Sequence, residues 1–233
     1  TYGIKRKATV GATKLRFHAN GSSAIIRSPR HSFPLSTNLL GLFNMYNILA
    51  SVGTCLALDI PLPDIVSGLK NVIIPGRLER IPCDRGIRIF VDYAHTEDAL
   101  RNVLLTLRSL REKGRVIVVF GCGGDRDKTK RASMGRVASE LSDQVVLTSD
   151  NPRSEDPKTI IADIKRGIRK KNYTSVIDRR EAIKKAIEIA QNRDIIVVAG
   201  KGHEDYQVIN DKKIAFHDRC VIEQILSQRR KVS

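Results

Sequence analysis

From Ile87 onward, short apolar runs alternate with longer segments of mixed polarity, and this alternation constrains the fold more than any other feature. The runs are Ile87–Val91, Val116–Phe120, Gln144–Thr148, Ser175–Ile177 and Ile195–Ala199. They read as strands buried on both faces, as in a parallel sheet. Between them, Glu97–Glu112, Lys130–Leu141, Pro157–Lys170 and Arg180–Gln191 read as helices, with Arg219–Arg230 as a last one. Strands alternating with helices of this length build βαβ units, so an α/β fold with a Rossmann-like, doubly wound and mostly parallel sheet is expected. Asp178 and Glu181 form a D-x-x-E capping box at the start of the fourth helix. Tyr206–Ile209 and Lys213–Phe216 flank Asn210-Asp211 and suggest a hairpin at the far edge of that sheet.

Before Ile87 the pattern changes. Lys14–His18 and Ser23–Ser28 read as a strand pair joined at Asn20-Gly21, and Leu42–Leu58 and Asp64–Val72 as helices. Ile74-Pro75-Gly76-Arg77 carries the punctuation of a hinge, which divides the chain into residues 1–76 and 77–233. Two strands and two helices do not make a complete layer, so the first part is expected to be the end of a larger domain whose sheet lies upstream. The chain begins with Thr1 rather than Met, which agrees with a fragment.

The net charge of +16 is the one unusual total. Such an excess attracts anions, whether nucleic acid, acidic lipid or phosphorylated metabolite. Its short clusters, Lys128–Arg131, Lys165–Lys171 and Arg229–Lys231, are spread over the chain. Aromatic residues make up 5% and Trp is absent, so stacking platforms for single strands are scarce and a nucleic-acid role is not expected. No apolar stretch approaches the roughly 18 residues that cross a bilayer, and Thr1–Lys7 is followed by no apolar core of a secretory signal. Cys55, Cys83, Cys122 and Cys220 lie far apart. Neither they nor the histidines show metal-ligand spacing, so free thiols in a cytoplasmic protein without a metal site are expected.

Four loops at strand ends carry the chemistry. Gly121-Cys122-Gly123-Gly124-Asp125-Arg126-Asp127-Lys128 follows a strand, so its backbone N–H groups can approach an anion, helped by Arg126 and Lys128. Arg126 stands where a G-x-G-x-x-G dinucleotide motif needs its last glycine, which argues against NAD. In Thr148-Ser149-Asp150-Asn151-Pro152-Arg153, Asp150 can accept from an ammonium and Arg153 can clamp a carboxylate. Gly200-Lys201-Gly202-His203-Glu204 offers close backbone and a second carboxylate; Lys201 lacks the spacing of a phosphate-binding G-x-x-x-x-G-K-[ST] loop, which occurs nowhere in the chain. Asp92-Tyr93-Ala94-His95 ends the first strand after the hinge, with no accompanying serine nucleophile. Each loop alone fits an ordinary turn or helix cap. Together, at one sheet edge, they describe a crevice for a small zwitterion with several charged groups.

In order and spacing these residues resemble the Mur ligase family, and within it the diaminopimelate-adding branch. The resemblance runs from Leu40 to Ile222 and includes Gly41-Leu42-Phe43-Asn44-Met45-Tyr46-Asn47, Ile74–Arg77, Asp92–His95, the glycine-rich loop, Asp150–Arg153 and Gly200–Glu204. It implies an ATP- and magnesium-dependent ligase that joins meso-diaminopimelate to UDP-N-acetylmuramoyl-L-alanyl-D-glutamate, for peptidoglycan. It implies that residues 1–76 end the central ATP-binding domain and that residues 77–233 bind the incoming amino acid. The family's phosphate-binding loop, magnesium-binding carboxylate and carbamylated lysine would lie upstream, so this chain alone is expected to be inactive and to hold no cofactor. By resemblance Arg126, Asp150, Asn151, Pro152, Arg153, Gly200 and Glu204 hold diaminopimelate, while Asn47, Arg77, Asp92 and His95 face ATP. A monomer acting on small molecules, away from nucleic acid and membrane, is expected. The alternatives are another Mur-type or folylpolyglutamate-type ligase domain, or a non-catalytic basic binding module.

Overall fold

The computed structural model describes residues 1–4, 7–18, 20–210 and 212–230. Lys5 and Arg6 of the charged start, Asp211 of the expected turn and Lys231 of the last basic cluster lie outside them. The chain forms two compact units, Thr1–Ile74 and Pro75–Ser233.

In the first unit, strands β1 (Tyr2–Gly3), β2 (Val10–His18), β3 (Gly21–Arg27) and β4 (Ser32–Thr37) form a sheet in that order. Only β1 and β2 run parallel. Helices α1 (Leu42–Ala57) and α2 (Leu62–Lys70) follow. Ile26 and Leu35 of the sheet are buried with Met45, Ile48, Leu49 and Val52 of α1 and Ile65 of α2. The expected strand pair is therefore part of a four-stranded sheet with its own core, two strands more than the sequence reading found. Pro34 hides β4 from a sequence reading, since proline cannot donate to a ladder. It is accommodated because β4 pairs only with β3, while Phe33, Leu35 and Thr37 alternate inward.

The second unit holds β5 (Glu79–Ile81), β6 (Arg88–Asp92), α3 (Glu97–Ser109), β7 (Val116–Phe120), α4 (Thr129–Leu141), β8 (Gln144–Leu147) and α5 (Pro157–Lys165). These are followed by β9 (Tyr173–Ser175), α6 (Arg179–Ile189), β10 (Ile195–Ala199), β11 (Tyr206–Ile209), β12 (Lys212–Ala215) and α7 (Asp218–Arg230). Six strands form one sheet in the order β5-β6-β10-β7-β8-β9, parallel except for β5. Successive side chains of a strand point to opposite faces. Ile89, Val91, Ile117, Val119, Val146, Ile196 and Val198 meet Ala182, Ile183 and Ala186 of α6 and Val221, Ile222 and Ile225 of α7. The alternate residues Phe90, Val118, Phe120, Val145, Leu147 and Val197 are buried too. On their side α3 packs on β7 and α4, and α4 on β8 and α5. Covering both faces is what solidly apolar strands require.

Helix starts follow local chemistry. The side chains of Thr96, Asp156 and Asp178 accept from the N–H groups of Ala99, Lys158 and Glu181 at 3.2, 2.9 and 2.9 Å, each cap contributing about 1 kcal/mol.

Two expectations change. The last helix-like run before β9 stops at Lys165, and the strand expected at Ser175–Ile177 pairs earlier, at Tyr173–Ser175. Val176 instead packs against the α6–α7 side of the core. The terminal hairpin exists, but as its own two-stranded sheet rather than an extension of the main one. A parallel bridge between Arg153 and Ile209 attaches it to the loop after β8.

Candidate functional site

Because β6, β7, β8 and β10 are parallel, the loops after them leave the same sheet edge. β10 lies between β6 and β7. The chain leaves β6 and β7 for α3 and α4 on one face, whereas β10 continues through the hairpin to α7 on the other. Neighbouring strands whose continuations part in this way open a crevice at their carboxyl ends. Two glycines let the strand ends close up. A Cβ on Gly121 would stand 2.2 Å from the Thr148 carbonyl oxygen, and one on Gly200, at φ +117°, 2.5 Å from Asp150 Oδ2. No larger residue fits either place, and the second backbone conformation itself favours glycine.

The two loops thus brought together are joined by Lys201. Its side chain is fully buried, and its ammonium donates to Asn151 Oδ1 at 3.1 Å and to Glu204 Oε2 at 2.9 Å. Asn151 Nδ2 donates to the same Glu204 oxygen at 3.0 Å. Burial pushes the Glu204 carboxyl up, but the Lys201 hydrogen bond and charge and the Asn151 amide outweigh it and hold the group below its ordinary value. Burial also raises Asp150, against the pull of the Arg179 and Lys201 charges.

The hairpin straps the loop after β8 from outside. Gln207 Nε2 donates to the Asp150 carbonyl at 2.7 Å and the Val208 N–H to Asn151 Oδ1 at 3.0 Å. The Arg153 N–H donates to the Val208 carbonyl at 3.0 Å and the Asn210 N–H to the Arg153 carbonyl at 2.9 Å. These bonds hold Arg153 at φ +51°, and its Nη1 donates to the Gly124 carbonyl at 2.7 Å. The same Nη1 lies 3.5 Å from the Asn151 carbonyl, and the other guanidinium donors of this half-buried side chain make no hydrogen bond among the described residues.

Arg131 ties the glycine-rich loop to the same place. This fully buried guanidinium donates to both Glu155 oxygens at 2.9 Å each, to Asp163 at 3.0 Å and to the Gly123 carbonyl at 3.2 Å. Glu155 also accepts from the Asp125 N–H at 2.7 Å. The Arg131 hydrogen bonds, followed by that N–H, bring its carboxyl down to about 2. Arg126, on the same loop, is exposed and makes no hydrogen bond among the described residues. Beneath the crevice Arg179 and Asp218 form a fully buried pair with two bonds of 2.8 Å, and Arg179 also donates to the carbonyls of Ala199 and Ser149 at 3.1 and 3.4 Å.

A second cluster surrounds Tyr93. The Arg77 guanidinium stands 5.2 Å from its ring centroid, His95 lies edge-on at 4.6 Å and His203 at 5.4 Å. Arg77, His95 and His203 are exposed. Asp92 is not: its two oxygens accept from the N–H groups of Leu78 and Ala94 at 2.7 and 2.8 Å. Burial, only partly offset by those bonds and the Arg77 charge, raises its carboxyl to about 6. Asn47 lies exposed on α1 in the first unit, its amide donating to Asn44.

The structure thus brings Asp150, Asn151, Arg153, Gly200 and Glu204 together at one edge, and sets Arg77 and His95 around one ring. It gives the Asp92 carboxylate to the backbone. The sequence reading weighed Lys201 only to reject it as a phosphate-loop lysine, and passed over Gln207, Arg131, Glu155 and Arg179. Their signal was only that basic and acidic residues sit within segments otherwise read as buried or as turns. The four cysteines are free. Among the described residues no cluster of His, Cys, Asp or Glu has the makings of a metal site.

Fold and site define a doubly wound α/β domain whose switch-point crevice carries opposed carboxylates and guanidiniums, the equipment for a zwitterionic amino acid. Residues 76–202 match the family described as Mur ligase, glutamate ligase domain, and the chain belongs to the Mur ligase family. It is 48% identical over 233 residues to the UDP-N-acetylmuramoyl-L-alanyl-D-glutamate–2,6-diaminopimelate ligase of Clostridium botulinum, covering 98% of this chain and 48% of that protein. A solved structure of a ligase of the same name superposes with a TM-score of 0.71 at 39% identity, covering 98% of this chain and 47% of that one. The folylpolyglutamate synthase of Thermotoga maritima shares the fold, with a TM-score of 0.67 at 21% identity over 84% of this chain and 44% of its own. The chain spans about half the length of the curated relatives it matches.

Proposed function

We propose that this chain is the C-terminal half of an ATP-dependent ligase that adds meso-diaminopimelate to the D-glutamate of UDP-N-acetylmuramoyl-L-alanyl-D-glutamate. The observation that carries the reading is the meeting of Asp150, Asn151 and Arg153 with Gly200 and Glu204 across the crevice. Diaminopimelate has two carboxylates and two ammonium groups. Arg153 and the exposed Arg126 suit the carboxylates; Glu204 and Asp150 suit the ammonium groups. Charge-assisted bonds of this kind are the stronger ones and fix direction as well as affinity.

The chemistry is amide formation through an acyl phosphate of the D-glutamate side. This half contributes by holding the amino acid with one amine aimed out of the crevice, which lowers the entropic cost of attack. Phosphate then leaves as the amide forms. ATP supplies the phosphoryl group. Exposed Arg77 and His95 and half-buried Tyr93 suit a nucleotide's anionic and aromatic parts, whereas Asp92 acts through the backbone it holds. In this reading the phosphate-cradling loop and the magnesium site belong to the part of the ligase outside this chain.

The test is phosphate release by the complete ligase supplied with ATP, magnesium and the UDP-linked dipeptide. Release is expected to depend on meso-diaminopimelate and to yield the tripeptide. Equal turnover with L-lysine, or none with either amino acid, contradicts the reading.

A further inference from the structure

We propose that Lys201 is a positioning residue of the amino-acid site, a buried ammonium that locks Asn151 and Glu204 into one unit and leaves one face of each for the ligand. The proposal rests on the reading of the crevice as an amino-acid pocket. Lysine is among the residues least often buried completely, and a buried ammonium is costly unless paired and hydrogen-bonded. Lys201 meets that condition in one way only among the described residues. Two of its three N–H groups go to Asn151 Oδ1 and Glu204 Oε2, and the Tyr206 ring centroid lies 5.6 Å from the nitrogen.

Counting lone pairs and protons shows what remains. Asn151 Oδ1 is filled by Lys201 and the Val208 N–H, and one Nδ2 proton goes to Glu204. The other Nδ2 proton is all that Asn151 can offer, so it can donate to a ligand carboxylate but cannot accept from an ammonium. Glu204 Oε2 takes two bonds, from Lys201 and Asn151, leaving Oε1 as the natural acceptor for a ligand ammonium. The orientation of the Asn151 amide is set by the same network: flipped, it would turn its NH2 toward the Lys201 ammonium and the Val208 N–H. Lys201 thus decides which of the two flexible side chains accepts and which donates. The other charges around Glu204 are Asp150, Arg153 and Arg179, and none of these is within hydrogen-bond distance of the Lys201 nitrogen among the described residues.

The experiment uses the 233-residue chain and nuclear magnetic resonance. In the wild type, the Lys201 ammonium protons are expected to exchange slowly and to correlate with Glu204 and Asn151. In Lys201→Met, which keeps the apolar stem, the Glu204 carboxyl is expected to titrate at higher pH than in the wild type. The dissociation constant for meso-diaminopimelate is expected to rise about tenfold to a hundredfold, the loss typical of a charge-assisted contact. A role in stability alone would move the melting temperature without changing the affinity for meso-diaminopimelate. Fast exchange of the wild-type ammonium overturns the proposal, whatever the variant does. So does a Lys201→Met chain whose Glu204 titration and affinity are unchanged, or whose affinity improves because the ligand takes the vacated ammonium site. If Glu204 shifts as expected but the wild type shows no response to meso-diaminopimelate, the Lys201 lock stands and the assignment of the substrate falls.

Discussion

Arg131 offers the sharpest test of how the glycine-rich loop and the loop after β8 are held. Replacing it with Met keeps the helical stem but removes bonds to both Glu155 oxygens, to Asp163 and to the Gly123 carbonyl. Breaking a buried pair by deleting one partner costs about 3–5 kcal/mol. The lower end applies here, because Glu155 keeps Lys128 at 3.4 Å and Asp163 keeps Arg166 at 2.9 Å. For a domain of this size about 3 kcal/mol lowers the melting temperature by roughly 6–12 °C. The effect carries a pH signature. The Glu155 carboxyl is depressed from 4.5 to about 2 in the folded protein. A group depressed on folding stabilises above its unfolded value and loses that contribution as pH falls through its folded value. The gap between wild type and Arg131→Met is therefore expected to be full above pH 5 or so and to narrow from about 4.5 toward about 2. Scanning calorimetry of both chains across that range measures it. Equal melting at pH 7, or a gap that widens on acidification, refutes the reasoning.

Three further outcomes are expected. Gly200→Ala puts a Cβ 2.5 Å from Asp150 Oδ2 at φ +117°; the strain of about 1–3 kcal/mol should appear in urea unfolding and in weaker meso-diaminopimelate binding, and an unchanged midpoint counts against the close strand ends. Arg153→Ala in the complete ligase should lose roughly tenfold to a hundredfold of the preference for meso-diaminopimelate over L-lysine, because lysine has no distal carboxylate; steady-state kinetics with both amino acids decide it. Since the Gly76 N–H bonds Glu79 and its carbonyl accepts from Tyr93, any hinge at Ile74–Arg77 should bend before Gly76. Hydrogen exchange in the complete ligase should then be fast at Ile73 and Ile74 and slow at Gly76 and Tyr93, and protection at all four contradicts that placement.

The parallel sheet could be read directly because Val116–Phe120 and Ile195–Ala199 are apolar at every position, and only a sheet covered on both faces tolerates that. The four loops were legible for the same reason: each follows such a strand, so their shared edge is a consequence of parallel pairing. β4 was not legible, because Pro34 breaks the strand pattern and its cost depends on which neighbour pairs with it. The hairpin was legible as a hairpin, but its place depends on bonds to Asp150, Asn151 and Arg153 that no local periodicity encodes. Lys201 shows the limit most plainly. In sequence it is a lysine between two glycines, whose spacing excludes a phosphate loop and suggests no other role. In the fold it is fully buried and holds Asn151 and Glu204, partners 50 and 3 residues away. Asp92 shows the converse: expected by resemblance to face ATP, it accepts with both oxygens from backbone N–H groups.

On the proposed function, this half alone carries a recognition site for meso-diaminopimelate between the loops after β8 and β10. Calorimetric titration of the 233-residue chain with meso-diaminopimelate and, separately, with L-lysine tests it most directly. Weak but saturable binding of meso-diaminopimelate is expected, since pockets that close against a second domain lose preorganisation when open. L-lysine should bind at least about tenfold more weakly, and Glu204→Gln should weaken meso-diaminopimelate further. Equal affinity for the two amino acids, or no heat from meso-diaminopimelate at millimolar ligand, contradicts it.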